Sequence, residues 1–185
     1  MGVTVLYGGA FDPPHLGHVA VAAAARERFG VERLEVLVGE RPAHRTVHAP
    51  AEDRLSLARA AFPGDEVRLD PYPRTVELLR AESFQDPVFV VGADQFRGFL
   101  SWNEPTEVLE RARLAVATRP GFPRPELDAV LRQLDHPERV IFFEVEPNPV
   151  ASTDVRARVA AGEPLDDLVP PAVARLIRER GLYRG

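Results

Sequence analysis

Apolar positions along the chain fall into short runs separated by longer stretches of helical character. Val3–Tyr7, Leu34–Val38, Glu66–Leu69, Pro87–Val91, Leu114–Thr118 and Val140–Glu144 are rich in β-branched, aromatic and other apolar residues, and each is flanked by turn formers. They predict six strands, of which Pro87–Val91 has the plainest buried pattern. Between them, Val19–Phe29 is alanine-rich and stops at Gly30, which predicts a helix. Ala51–Ala61 is amphipathic, with Leu55, Leu57, Ala58 and Ala61 turned inward, and Pro63-Gly64 ends it. Further helices are predicted from Arg74 or Thr75, over Glu104–Arg111, over Pro125–Leu134, from Ser152, and over Pro170–Arg180. Strands alternating with helices predict an α/β fold with a doubly wound, Rossmann-like parallel sheet. No linker, repeat or low-complexity segment divides the chain, so residues 1–185 are expected to form one domain.

Composition narrows the partners. A net charge of −5 excludes a nucleic-acid binder that relies on a basic field, while leaving room for a small nucleotide in a local positive pocket. No apolar run reaches the length of a membrane span and no signal peptide is evident, so a cytoplasmic protein with no membrane partner is expected. Cysteine is absent, which removes disulfides, thiolate metal sites and a cysteine nucleophile. All 23 basic residues are arginine. A phosphate clamp must therefore use Arg, His and backbone, and a P-loop lysine cannot exist. Neither Gly-x-Gly-x-x-Gly after the first strand nor Gly-x-Ser-x-Gly occurs.

The chemistry concentrates where the first strand meets the first helix, in Gly8-Gly9-Ala10-Phe11-Asp12-Pro13-Pro14-His15-Leu16-Gly17-His18. In an open parallel sheet, ligands bind at the carboxyl ends of the strands. Gly8 and Gly9 permit close backbone approach, and His15 and His18 share a face three residues apart. A helix start offers amide N–H groups and the positive end of a dipole, which suit a phosphate. Two later strand ends are also polar: Gly92-Ala93-Asp94, and Ser152-Thr153-Asp154-Val155-Arg156.

This eleven-residue turn resembles the signature of the nucleotidyltransferase superfamily that carries a His-x-Gly-His motif, and among its members the bacterial nicotinate-nucleotide adenylyltransferases. Further segments match in order: Pro42-Ala43-His44-Arg45, the opening Tyr72 to Thr75, Gly92 to Trp102, Arg119-Pro120-Gly121, and Val150 to Arg156. The chain departs from the family pattern at Ala10, Ala43, Arg74, Leu78, Asn103 and Ala151. The resemblance implies adenylyl transfer from ATP to nicotinate mononucleotide by direct attack, without a covalent intermediate. It implies that His18 meets the α-phosphate, that His15 meets the outer phosphates, and that Arg156 joins them in catalysis. Gly8, Gly9, Ala10, Phe11, Gly92, Asp94 and Ser152 would complete the ATP side. Asp12, His44, Arg45, Thr75, Trp102 and the backbone of Asn103 would take the mononucleotide. Mg²⁺ is implied as a companion of the ATP phosphates, with no dedicated protein ligands. Assembly into a homo-oligomer is left open.

Each assignment has a plainer counterpart. Thr75 or Asp94 could cap a helix, Trp102 could be half-buried core, and His44 and Arg45 could belong to a solvated loop. Ser152 and Arg156 could be a helix cap and a surface arginine. Three rival functions share the motifs: the sister phosphopantetheine adenylyltransferase, a metal-dependent hydrolase using Asp12, His15, His18 and Asp94, and a non-catalytic nucleotide sensor.

Overall fold

The computed structural model describes residues 2–42, 46–120 and 123–184. All six predicted strands form: β1 (Thr4–Gly9), β2 (Glu35–Gly39), β3 (Glu66–Asp70), β4 (Pro87–Gly92), β5 (Arg113–Thr118) and β6 (Val140–Glu144). They make one parallel sheet in the order β3-β2-β1-β4-β5-β6. The sequence of connections runs outward to β3, returns to the centre at β4, and then runs outward the other way. β1 and β4 therefore flank the point where the winding reverses, which is where such sheets open a crevice at their carboxyl ends.

Because helices cover both faces, the strands read as continuous apolar runs rather than as apolar–polar alternation. The period of two divides them between two cores. Val5, Tyr7, Val36, Val38, Val88, Val90, Ala115 and Ala117 face one side. Leu6, Leu37, Phe89, Val91, Leu114 and Val116 face the other. The first core is closed by α1 (Leu16–Phe29), α2 (Ala51–Ala61), α7 (Ser152–Ala161) and α8 (Pro171–Arg180). The second is closed by α3 (Thr75–Ala81), α4 (Ala93–Arg97), α5 (Pro105–Arg111) and α6 (Arg124–Leu131).

Two differences from the sequence reading bear on the site. Helix α1 starts at Leu16, three residues earlier than the alanine-rich pattern indicates, so Gly17 and His18 lie within its first turn. The Leu16 amide is accepted by the Leu168 carbonyl at 2.9 Å, a tertiary bond that local periodicity does not contain. Second, the strand-end turn after β4 closes into the five-residue helix α4, whose first amide group at Gly92 is bonded by the Gln95 side chain at 3.0 Å. A single turn is too short to leave a helical period in the sequence.

Candidate active site

The site grows from the end of β1. A Cβ on Gly8 would stand 2.8 Å from the Phe89 ring, and one on Gly9 would stand 2.9 Å from the Phe11 ring. The two glycines are thus dictated by aromatic side chains of the protein itself. Phe11 has φ +48°, a left-handed conformation that costs a bulky residue about 1–3 kcal/mol. Its ring is 2% exposed and packs edge-on against Tyr7, Phe62 and His18, with centroids 5.5, 5.4 and 5.1 Å away. That packing offsets the strain and turns the chain sharply toward the histidines.

His15 caps α1 in extended conformation, with φ −139°. Its backbone N–H donates to Nδ1 of His18 at 3.2 Å. Neutral His18 therefore carries its proton on Nε2, leaving that edge as the donor. The two imidazoles lie ring over ring, with centroids 3.8 Å apart and planes at 32°. The intervening glycine makes room for them: a Cβ on Gly17 would meet the His15 ring at 3.0 Å. His15 is 9% exposed, and its Nδ1 has no hydrogen-bond partner among the described residues. Burial pulls its pKa down to about 4, against a smaller opposing pull from the Asp154 carboxylate.

α7 grips the same loop. Ser152 Oγ donates to the Pro13 carbonyl at 2.8 Å, and an Arg156 terminal nitrogen donates to the Asp12 carbonyl at 2.7 Å. The two predicted phosphate contacts are thus brought to the histidine turn, although the Ser152 hydroxyl proton already has a protein acceptor. The first turn of α1 likewise offers an anion fewer amides than its sequence suggests. Leu16 donates to Leu168, and His18 and Val19 donate to the His15 carbonyl. An open cavity of about 640 Å³ lies beside α7, lined by residues 147–150, Asp154, Ala157, Arg158, Asp167 and Leu168, with none of His15, His18, Ser152 and Arg156 among its walls.

Two residues at the centre of this arrangement escape the sequence reading. Arg54, on α2, is 0% exposed. It donates to the carbonyls of Ala49, Ala10, Gly39 and Glu40 at 3.0, 2.9, 2.7 and 3.0 Å. Burial lowers its pKa, with the nearby Asp12 carboxylate working in the opposite sense. The signal was present: Arg54, Leu57, Ala58 and Ala61 sit at i, i+3, i+4 and i+7, which places the arginine on the buried stripe. The other is Tyr183, beyond α8, whose hydroxyl donates to Asp12 Oδ1 at 2.8 Å.

Asp12 itself is 5% exposed. Besides Tyr183, its carboxylate accepts the amides of His48 and Ala49 at 2.6 and 3.1 Å and lies 3.2 Å from His48 Nδ1. Its oxygens are occupied by protein donors, so the structure gives Asp12 the part of a tie between loops.

The remaining predicted residues lie at or after the ends of β2, β3 and β4 in the chain. Gly92 closes β4 beside β1, and Asp94 follows on α4, exposed and 3.6 Å from Arg97. Gly92, not Asp94, is the helix cap. Thr75 is the first residue of α3 and makes no side-chain cap; Arg74 holds that position. Trp102 is half-buried, packs edge-on to Phe99 at 5.2 Å and adjoins the same core as α3; Asn103 is exposed. His44 and Arg45 lie outside the described residues. No group of three or more His, Asp or Glu side chains among the described residues is arranged to hold a metal ion, so Asp12, His15, His18 and Asp94 do not form the cluster that a hydrolase reading needs. No described helix is long and apolar enough to cross a membrane.

Residues 6–158 match the family model described as cytidylyltransferase-like. The chain is 34% identical over 194 residues to a probable nicotinate-nucleotide adenylyltransferase of Rubrobacter xylanophilus, covering 97% of this chain and 91% of that one. It is 36% identical over 197 residues to a probable nicotinate-nucleotide adenylyltransferase of Chlorobaculum parvum, covering 98% of both. Its fold is similar to that of a Plasmodium falciparum nicotinic acid mononucleotide adenylyltransferase solved with NaAD, with a TM-score of 0.77 at 14% identity over 99% of this chain and 98% of the other.

Two expectations follow from the buried groups. Arg54→Met should leave four carbonyls without their donor and destabilise the fold by about 3 kcal/mol. Calorimetry should record a melting temperature lower by about 6–12 °C. For His15, a proton NMR titration of the free protein should give a midpoint near 4. Its folded pKa lies below the unfolded value of about 6.5. The stability it contributes is therefore complete above that value and declines as pH falls toward 4, which urea unfolding between pH 4 and 7 should register against a His15→Gln control.

Proposed function

The chain belongs to the cytidylyltransferase-like family, and from that footing we propose that it transfers the adenylyl group of ATP to nicotinate mononucleotide, giving nicotinate adenine dinucleotide and pyrophosphate. One observation carries the chemistry. A stacked His15–His18 pair stands at the reversal point of the sheet on a loop held by Arg54, by α7 and by Tyr183, with donors and, among the described residues, no activated nucleophile beside it. Such a site suits a reaction whose difficulty is anion repulsion and leaving-group charge.

A phosphate oxygen of the mononucleotide attacks the α-phosphorus of ATP. The new P–O bond forms in line as the bond to the bridging oxygen of pyrophosphate breaks. His18 donates from Nε2 to the α-phosphate as charge shifts. His15 serves the outer phosphates as a neutral imidazole, and Arg156 adds fixed positive charge beside them. The amides of Ser152 and Thr153 open α7 toward the same region. Gly92 and Asp94 receive the adenosine ribose, while Thr75 and Trp102 receive the pyridine ring. Mg²⁺ would neutralise part of the triphosphate charge and would arrive with the nucleotide, since no preassembled carboxylate cage stands among the described residues. The homologues' full-length similarity at about one residue in three supports this acceptor over phosphopantetheine.

The test is pyrophosphate release with ATP and Mg²⁺, with nicotinate mononucleotide, its amide and phosphopantetheine supplied separately. Release with nicotinate mononucleotide is expected; release with phosphopantetheine alone would assign the chain to the sister reaction. His18→Ala should lower kcat by about 10²-fold or more with little change in ATP affinity. An unchanged kcat would remove His18 from the mechanism. Trp102→Ala should raise KM for the mononucleotide about tenfold and spare KM for ATP. A KM for the mononucleotide equal to the parent's would make Trp102 a core residue only.

A further inference from the structure

We propose that Tyr183 is a positioning residue for the transfer reaction, acting through Asp12 to hold the histidine-bearing loop and the loop before α2 at one fixed spacing. The proposal rests on the adenylyl-transfer reading above. Tyr183 lies 171 residues from Asp12, in the tail that follows α8, and its φ of +61° is unusual for a residue with a side chain. The tail thus adopts a left-handed backbone where its hydroxyl reaches into the site. Tyr183 donates to Asp12 Oδ1 at 2.8 Å, and the Ala49 amide shares that oxygen at 3.1 Å. The other oxygen takes the His48 amide at 2.6 Å.

One carboxylate therefore joins three segments: the β1–α1 loop, the end of the β2–α2 loop, and the C-terminal tail. The backbone of the same residue is held in turn, since the Asp12 carbonyl accepts from Arg156 and the next carbonyl accepts from Ser152. Asp12 is three residues from His15. A shift of the whole residue that relaxes the tail contact would also move the carbonyl that Arg156 grips. The outcome is a change in the relative placement of His15, His18 and Arg156, and displacements of about 1 Å in such groups can cost up to about 10²-fold in rate.

Removing only the Tyr183 hydroxyl keeps the ring and leaves Asp12 with its amide donors, so the fold survives the change. Tyr183→Phe should lower kcat about tenfold, with KM for ATP changed less than about twofold and a melting temperature within a few degrees of the parent. The loss should persist at temperatures far below melting. The inference is overturned if kcat and both KM values stay within about twofold of the parent, or if the deficit tracks the unfolded fraction and disappears on cooling. The parent protein is assayed in the same run with nicotinate mononucleotide, its amide and phosphopantetheine. A parent that releases pyrophosphate with none of them overturns the functional reading, and this inference falls with it. An active parent beside an equally active Tyr183→Phe variant overturns this inference alone.

Discussion

A guanidinium buried with carbonyls as its hydrogen-bond acceptors sets the terms for the rest of this site. Removing Arg54 from water is costly, and the cost is tolerable because its donors meet four backbone oxygens at normal distances. Those oxygens come from the end of β1, the end of β2, and the loop leading into α2. Strand ends in a parallel sheet would otherwise leave such carbonyls pointing into an open crevice. Arg54 gathers them from below, so that the ligand side of the crevice is presented by groups with fixed positions. Asp12 does the complementary work a short distance away, collecting amides and a hydroxyl on one carboxylate. The two charges are near enough for the carboxylate to favour the charged arginine.

Around this frame the motif residues divide by purpose. Gly8, Gly9 and Gly17 are small because the Phe89, Phe11 and His15 rings occupy the space their side chains would need. Phe11 accepts a strained backbone because its ring is locked among Tyr7, Phe62 and His18. The histidines then stack at the edge of this aromatic core, His15 buried and His18 partly buried. Rotamer freedom that would have to be lost on binding is already lost on folding, which is the physical content of a preorganised site.

Much of this was legible in the sequence. The six strands, their parallel sense and the helix-covered faces follow from apolar runs alternating with helical stretches, whereas the order β3-β2-β1-β4-β5-β6 came from the structure. The His15–His18 turn and its meeting with Ser152 and Arg156 followed from position at strand ends. What stayed hidden depends on contacts far apart in sequence. Arg54 looks like a surface residue until its place on the apolar stripe is weighed, and no local pattern announces that Tyr183 reaches Asp12 across 171 residues. The family resemblance implied that Asp12 takes the mononucleotide; the protein donors that its carboxylate also accepts lie on segments that only the fold brings near. The glycines suggested ligand approach, whereas their immediate neighbours are aromatic rings, a distinction visible only once side chains are packed.

The electrostatic design of the site follows from what the chain lacks. With no lysine, mobile positive charge on a long stem is absent, and Arg156 is anchored through the Asp12 carbonyl. His15 is held neutral by burial at physiological pH. A site crowded with full positive charges would bind the ground-state triphosphate tightly and gain little at the transition state, since binding both equally does not raise kcat. Imidazole donors fixed by backbone and ring contacts would act differently in the proposed transfer. Their hydrogen bonds would strengthen as negative charge gathered on the phosphate oxygens, and little reorganisation would be needed. On the proposed transfer, the value of the Arg54 and Asp12 frame would be greatest at the moment of reaction, when it would keep weak donors where developing charge makes them strong.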